Sequence, residues 1–242
     1  MILVVGAAVL AAGLMIGLTG VGGVLVVPAL TALGNVDLER AIAASLVGFL
    51  LAGTPAAVVH LRRNQVPFGR AAALGVAAGA GAVVGAFTLH QLPASAVRLF
   101  IAALATASGI YALVRAGRSA TAARTEPGTA IVLPLALLVG YASAISGTGG
   151  PVLLVPILLL LGARAESAIA LGLAIQIPVT ALATAVNIGK GRLDVNLAAL
   201  LAVLLVLGML AGTRIAARLS PSASLRAVGT VLVFVGLAYG IA

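Results

Sequence analysis

Five uncharged stretches of near-spanning length constrain this chain more than any other feature: residues 41–59, 71–89, 99–114, 168–189 and 197–211. A helix needs roughly 20 apolar residues to cross the hydrocarbon of a bilayer. Only 8% of the 242 residues are charged and 62% are hydrophobic. A soluble domain carries about 25% charged residues, so a water-facing surface cannot be built from this supply. A membrane β-barrel would require alternation at period 2 and aromatic girdles. The chain instead has long Ala, Leu and Gly runs, no Trp and three Tyr. Its 30 glycines suit close helix packing in lipid, for example along Gly75, Gly79, Ala82 and Ala86. The expected fold is an all-α polytopic membrane protein in the cell membrane.

The first apolar segment lacks an early Lys or Arg and continues through a glycine break, unlike a signal peptide. With no Cys, the chain has no disulfide and no thiol chemistry. Its formal charge of +9 is spread through short loops, which fits membrane topology and lipid contact and not a nucleic-acid partner.

The chain is internally duplicated. Gly20, Gly22 and Gly23 fall on Gly147, Gly149 and Gly150 at a shift of 127, and Thr19 falls on Ser146. After a one-residue gap Pro28 and Gly34 meet Pro156 and Gly162; Glu39, Ala41, Ile42 and Ala43 then meet Glu166, Ala168, Ile169 and Ala170. Gly85 matches Gly212, and Tyr111 matches Tyr239 after a second gap. Two repeats are expected, residues 1–115 and 128–242, joined by a cytoplasmic linker at 116–127. Each repeat reads as an apolar segment, a glycine break, a short apolar segment and three long helices. In the first repeat these cover residues 2–17, 24–33, 41–59, 71–89 and 97–114; in the second, 130–145, 152–161, 168–186, 196–211 and 225–242.

The short segments, at ten residues each, cannot cross alone. If they cross with the segment before them, the repeats are parallel; if they re-enter, the second repeat is inverted. With the Arg62, Arg63 and Arg70 loop placed inside, inversion puts ten of the fourteen Lys and Arg inside, against eight for the parallel arrangement. Inverted repeats with both termini external are therefore expected.

The breaks are the candidate site. Thr19, Gly20, Gly22 and Gly23, with Ser146, Gly147, Thr148, Gly149 and Gly150, expose backbone groups at a depth where unsatisfied polarity is costly. The short helix after each break directs N–H groups and partial positive charge towards it, which suits an anion. The hydroxyls of Thr19, Ser146 and Thr148 add donors. Isolated, such glycines serve packing as readily as binding; their recurrence in matching broken helices is how secondary transporters place substrate near the midplane. Ser45, Thr54, Gln176 and Thr180 are candidate pathway residues, and Pro55 and Pro178 candidate gate hinges or fixed kinks. His60 reads as an interfacial histidine.

No paired carboxylates, zinc cluster, catalytic triad or Walker lysine appears, so no enzyme activity, metal or cofactor is expected. The two segments Gly20-Val21-Gly22-Gly23-Val24-Leu25-Val26-Val27-Pro28 and Gly147-Thr148-Gly149-Gly150-Pro151-Val152-Leu153-Leu154-Val155-Pro156 resemble those of the TauE/SafE family of sulfite and organosulfonate exporters. The similarity covers nearly the whole chain, although Val24 and Pro151 stand where the family often has a third glycine. It implies a transporter of small, sulfur-containing anions, with the coupling ion open. An anion channel and a non-transporting membrane scaffold are the competing readings.

Overall fold

The computed structural model describes residues 2–62, 66–117 and 126–241. Ten helices occur among them. They are α1 (Ile2–Thr19), the short α2 (a 3-10 turn Gly23–Leu25, an α-helical turn Val26–Pro28 and a π turn Ala29–Leu33), α3 (Leu38–Arg62), α4 (Phe68–Thr88) and α5 (Ala94–Ala116). The second half supplies α6 (Thr129–Ser146), the short α7 (Pro151–Leu160), α8 (Ala165–Gly189), α9 (Val195–Ala216) and α10 (Pro221–Ile241). Seven of these are long and apolar enough to cross a membrane, which makes the chain a multi-pass membrane protein. Large apolar side chains such as Val76, Leu99, Val203, Leu207 and Phe234 face outward, where lipid and not water would meet them.

Several helix ends follow from local chemistry. Asp37 Oδ1 accepts from the N–H groups of Glu39 (3.0 Å) and Arg40 (3.3 Å) at the start of α3, and Asp194 Oδ1 caps α9 by accepting from Leu197 N–H at 3.0 Å. Pro67 and Pro93 precede α4 and α5. The long helices extend beyond the uncharged stretches: α3 begins at Leu38 and α8 at Ala165 because their first turns carry Glu39 and Glu166, which charge-free windows exclude.

Without a hydrophobic drive between helices in lipid, close backbone approach through small residues holds the bundle together. A Cβ on Gly13 would lie 2.8 Å from Leu205 O and 3.2 Å from Gly208 Cα, and one on Gly17 would lie 2.9 Å from Gly212 Cα, so α1 runs parallel to α9. One on Gly81 would strike Leu137 O, and one on Gly85 would lie 3.1 Å from Ala144 Cβ, so α4 runs parallel to α6. These contacts are related by the same shift of 127: Gly13 and Gly17 correspond to Gly140 and Ala144, and Gly81 and Gly85 to Gly208 and Gly212. The other main pairs among the long helices are α5 with α10, α3 with α8, α4 with α8 and α3 with α9. Exchanging the two halves leaves this set of pairings unchanged.

The partners α5 and α10 are antiparallel, with Gly109 against Gly229 and Val233, and Gly236 against Ala102 and Thr106. α3 and α8 are also antiparallel, because Glu39 at the start of α3 pairs with Arg192 just beyond α8 at 2.7 Å. Arg192 Nη1 also donates to Ala86 O near the end of α4 (2.9 Å), which places all three helix ends on one face. At the opposite face Glu126 binds Arg70 (3.6 Å) and Arg164 (3.5 Å), and accepts from Ser167 Oγ (3.1 Å). This second cluster ties the chain just before α6 to the starts of α4 and α8. Arg63, Arg118 and Arg124, and most of the linker, lie outside the described residues, as do the side chains of His60 and Arg62.

Candidate functional site

Both long segments that precede a break end in the same way. Gly20 (φ +75°) and Gly147 (φ +68°) adopt the left-handed conformation, and each donates its N–H four residues back, to Ile16 O (2.8 Å) and to Ser143 O. Glycine reaches this conformation without a Cβ penalty, which is why it stands at the same position in both halves. Each short helix then runs back beside the segment before it. A Cβ on Gly22 would lie 2.8 Å from Met15 Cβ and 3.0 Å from Ala12 O, and Gly34 at the end of α2 borders the same cavity as Val5 and Gly6 near the start of α1. In the second half, Arg164, just past α7, donates its N–H to Glu126 Oε1 at 3.2 Å, close to the start of α6.

The two breaks meet. A Cβ on Gly23 would lie 3.6 Å from Thr148 O and 2.9 Å from Phe49 Cζ; one on Gly149 would lie 3.3 Å from Phe49 Cβ. Phe49 therefore touches both breaks. Ser45 Oγ lies 3.0 Å from Gly147 O and 2.8 Å from Ile42 O, acceptors between which its single proton chooses. Gly147 also packs against Val27 of α2. On the far side of the second break, Gly149 abuts Thr180 Cγ2 (3.4 Å) and Gly150 abuts Ile175 (3.4 Å), both measured from a constructed Cβ.

Hydrogen-bond bookkeeping separates the groups that brace the breaks from those left over. Ser146 Oγ donates to Ala142 O (2.7 Å), so in the 3.0 Å contact with Thr148 Oγ1 it acts as acceptor. Thr19 Oγ1 lies 3.1 Å from both Met15 O and Val21 O and accepts from Val21 N–H at 3.3 Å. The protons of all three hydroxyls are thus engaged within the protein. The backbone differs. Leu25 N–H reaches Gly22 O, and Leu153 and Leu154 N–H both reach Gly150 O. Among the described residues, no acceptor meets the N–H groups of Gly22, Gly23 and Val24 in the first break or of Gly149, Gly150 and Val152 in the second. All six residues are buried. Buried backbone donors are almost always paired, so six orphans on two touching breaks are a concentrated exception.

The other sequence-derived candidates take varied places. Gln176 is buried and donates from Nε2 to Phe49 O at 3.0 Å, linking positions that are themselves 127 residues apart. Thr180 Oγ1 donates to Gln176 O (2.6 Å), and Thr54 Oγ1 donates to Leu50 O. α3 and α8 continue through Pro55 and Pro178. Pro178 packs where α4 presents Gly75 and Gly79, with its Cγ 3.3 Å from a Cβ built on Gly75, whereas Pro55 is exposed. Phe49 was not among those candidates; an apolar residue in an apolar helix carries no local signal, and its counterpart in the duplication is the chemically unrelated Gln176.

Compared with known proteins, residues 5–239 match the sequence model of a family described as sulfite exporter TauE/SafE. Searches of curated proteins and of solved structures found no match.

Proposed function

Because the chain belongs to the sulfite exporter TauE/SafE family, we propose that it is a secondary carrier that moves small anions, sulfite or organosulfonates, through one site formed jointly by the two glycine breaks. The observation that carries this reading is the set of six N–H groups without an acceptor among the described residues, all on buried residues: Gly22, Gly23, Val24, Gly149, Gly150 and Val152. Donors without acceptors, at the positive ends of two short helices, have the polarity an anion requires. Thr19, Ser146 and Thr148 brace the loops, Gly20 and Gly147 set their direction, and Phe49 fills the space between them. Nothing in this set reacts with substrate, and no nucleotide or metal is assigned a part.

The carrier reading includes inverted repeats at 1–115 and 128–242 in the cell membrane, with 116–127 as linker. The antiparallel pairing of α5 with α10 and of α3 with α8 supports inversion, since a two-fold axis relating antiparallel equivalents lies in the membrane plane. The return of α2 to the level of Val5, and of α7 to the level of Glu126, supports re-entrant breaks. Charge supports the orientation: Arg70, Arg115, Arg164, Arg214, Arg218 and Arg226 belong to the face with the linker, and Arg40, Arg98, Lys190 and Arg192 to the other. In alternating access the two halves rearrange around the fixed breaks, exposing the anion to one face and then the other.

The test is sulfite counterflow in proteoliposomes. A carrier gives saturable uptake that unlabelled internal sulfite accelerates. Non-saturating flux without counterflow would identify a channel, and absence of flux under every imposed gradient would leave a scaffold whose glycines only pack.

A further inference from the structure

We propose that a polar stripe buried along α8 is the anion's path between the paired breaks and the face that carries Arg192, with Arg192 as its mouth. This rests on the carrier reading and adds a route and its charge selectivity. Gln176, Thr180, Thr184 and Asn187 are all buried, and at 100° per residue they fall within an arc of about 80° on one side of the helix. The stripe begins at the second break, where Gly149 and Gly150 approach Thr180 and Gln176. It ends at Arg192, whose Nη1 donates to Asn187 Oδ1 at 3.3 Å and whose Nε meets Glu39 Oε2 at 2.7 Å.

Two atoms of this stripe make no hydrogen bond: Thr184 Oγ1 and Asn187 Nδ2. Threonine hydroxyls on apolar helices normally bond back to their own turn, as Thr180 does to Gln176 O. Thr184 does not, so its proton is free to donate elsewhere. The orphan on Asn187 is also a donor, and necessarily so. Arginine has only donors, so the amide turns its oxygen towards Arg192 and leaves its NH2 unmatched. From Gln176 to Asn187 the stripe therefore carries amide and hydroxyl groups and no carboxylate, and it ends on a guanidinium whose carboxylate partner is Glu39. Such a lining favours anions over cations.

The positions on α3 that correspond to Gln176, Thr180 and Thr184 are Phe49, Gly53 and Ala57, all apolar, and the one that corresponds to Asn187 is His60. A continuous polar stripe is thus present in one half only, and it leads to one face. At its mouth Glu39 holds Arg192 as a tethered carboxylate. Glu39 is partly exposed and borders a cavity of about 130 Å³ on that face. An arriving oxyanion competes with it for the guanidinium, so the ion pair opens when substrate takes its place.

The native chain has no cysteine, so single substitutions report access directly. Thr184→Cys and Asn187→Cys are placed in otherwise unaltered protein in proteoliposomes and treated from the Arg192 face with methanethiosulfonates bearing a sulfonate or a trimethylammonium group. Ala185→Cys, on the exposed side of α8, is the control. Both stripe positions should react and the control should not. The anionic reagent should react about tenfold faster than the cationic one, as expected for charge-focused access. Methanesulfonate, an organosulfonate that unlike sulfite does not attack the reagents, should slow both reactions. Arg192→Gln should abolish the anionic preference and raise KM for sulfite, while Arg192→Lys should keep the preference. Thr184→Cys is nearly isosteric, so it reports even if Asn187→Cys fails to fold. Inert stripe cysteines in monodisperse, transporting protein, or equal rates for the two reagents, would overturn the proposal. If sulfite still shows counterflow in that case, the carrier reading stands and only the route falls. Absence of sulfite counterflow in the unsubstituted protein would remove both.

Discussion

The crossing of α3 and α8 makes a quantitative prediction about Gly53. A methyl group there would collide with the Gln176 amide: its Cβ would lie 2.5 Å from Cδ and 2.7 Å from Oε1 and would run into Nε2. The amide would have to swing away, breaking its bond to Phe49 O. Overpacking of this kind costs about 1–3 kcal/mol. Losing a hydrogen bond between membrane helices costs about 0.6 kcal/mol on average. Replacing Gly by Ala inside a helix returns about 0.5–1 kcal/mol. Gly53→Ala should therefore destabilise the protein by about 0.5–3 kcal/mol while Gln176 is present. In a Gln176→Ala background the methyl enters vacated space and only the helix gain remains, so the same substitution should stabilise by about 0.5–1 kcal/mol. The helix gain is common to both backgrounds, so the coupling between the two sites is the overpacking and hydrogen-bond cost, about 1.5–3.5 kcal/mol. Equilibrium unfolding in mixed micelles, followed by far-UV circular dichroism across all four variants, measures it. An equal effect of Gly53→Ala in both backgrounds would refute the placement of Gln176 across α3.

Two further outcomes test the packing and the orientation. Gly81→Ala, whose methyl meets Leu137 O, should lower stability by about 1–3 kcal/mol, whereas Gly69→Ala, with open space around it, should be neutral or slightly stabilising; thermal unfolding in detergent compares them. Single cysteines added near Leu3 and Ile241 should be labelled only from outside the cell and one at Arg70 only from the cytoplasm, so cytoplasmic labelling of both ends would overturn the inverted arrangement.

The bundle was legible in the sequence because its two governing features are local. Hydropathy marks each long helix, and the glycines that end α1 and α6 recur at one spacing because both helices need a left-handed residue at the same place. The packing glycines were only partly legible. Gly75 and Gly79 were recognisable as a small face, and they receive Pro178 and Leu182. Gly81 and Gly85, which receive α6 instead, could not be assigned a partner, because small residues lie on several sides of α4 and sequence does not say which neighbour takes which side.

For the candidate site, the sequence marked a place more than a chemistry. Matching breaks pointed to Gly20–Gly23 and Gly147–Gly150, but the hydroxyls of Thr19, Ser146 and Thr148 are occupied within the protein, and the free donors are backbone N–H groups. That division emerges only from three-dimensional bookkeeping. Gly22 shows the same limit: its missing side chain is required first by Met15 and Ala12 of its own hairpin. Replacing it by Leu would disturb the fold before it could test binding. Arg192 read as one of several loop charges, yet its bonds to Glu39 and to Ala86 O bury it where three helix ends meet at one face.

The central claim is that two breaks, 127 residues apart in sequence, form one anion site. It is tested most directly by introducing Val21→Cys and Thr148→Cys separately and measuring how methanesulfonate, an organosulfonate that does not react with alkylating reagents, slows their alkylation in purified protein. If the breaks share one anion, methanesulfonate protects both positions with the same half-saturating concentration, and chloride at equal ionic strength does not reproduce the effect. Protection of only one break, or half-saturating concentrations that differ between them, would contradict a shared site, and protection of neither would leave the glycines as packing devices.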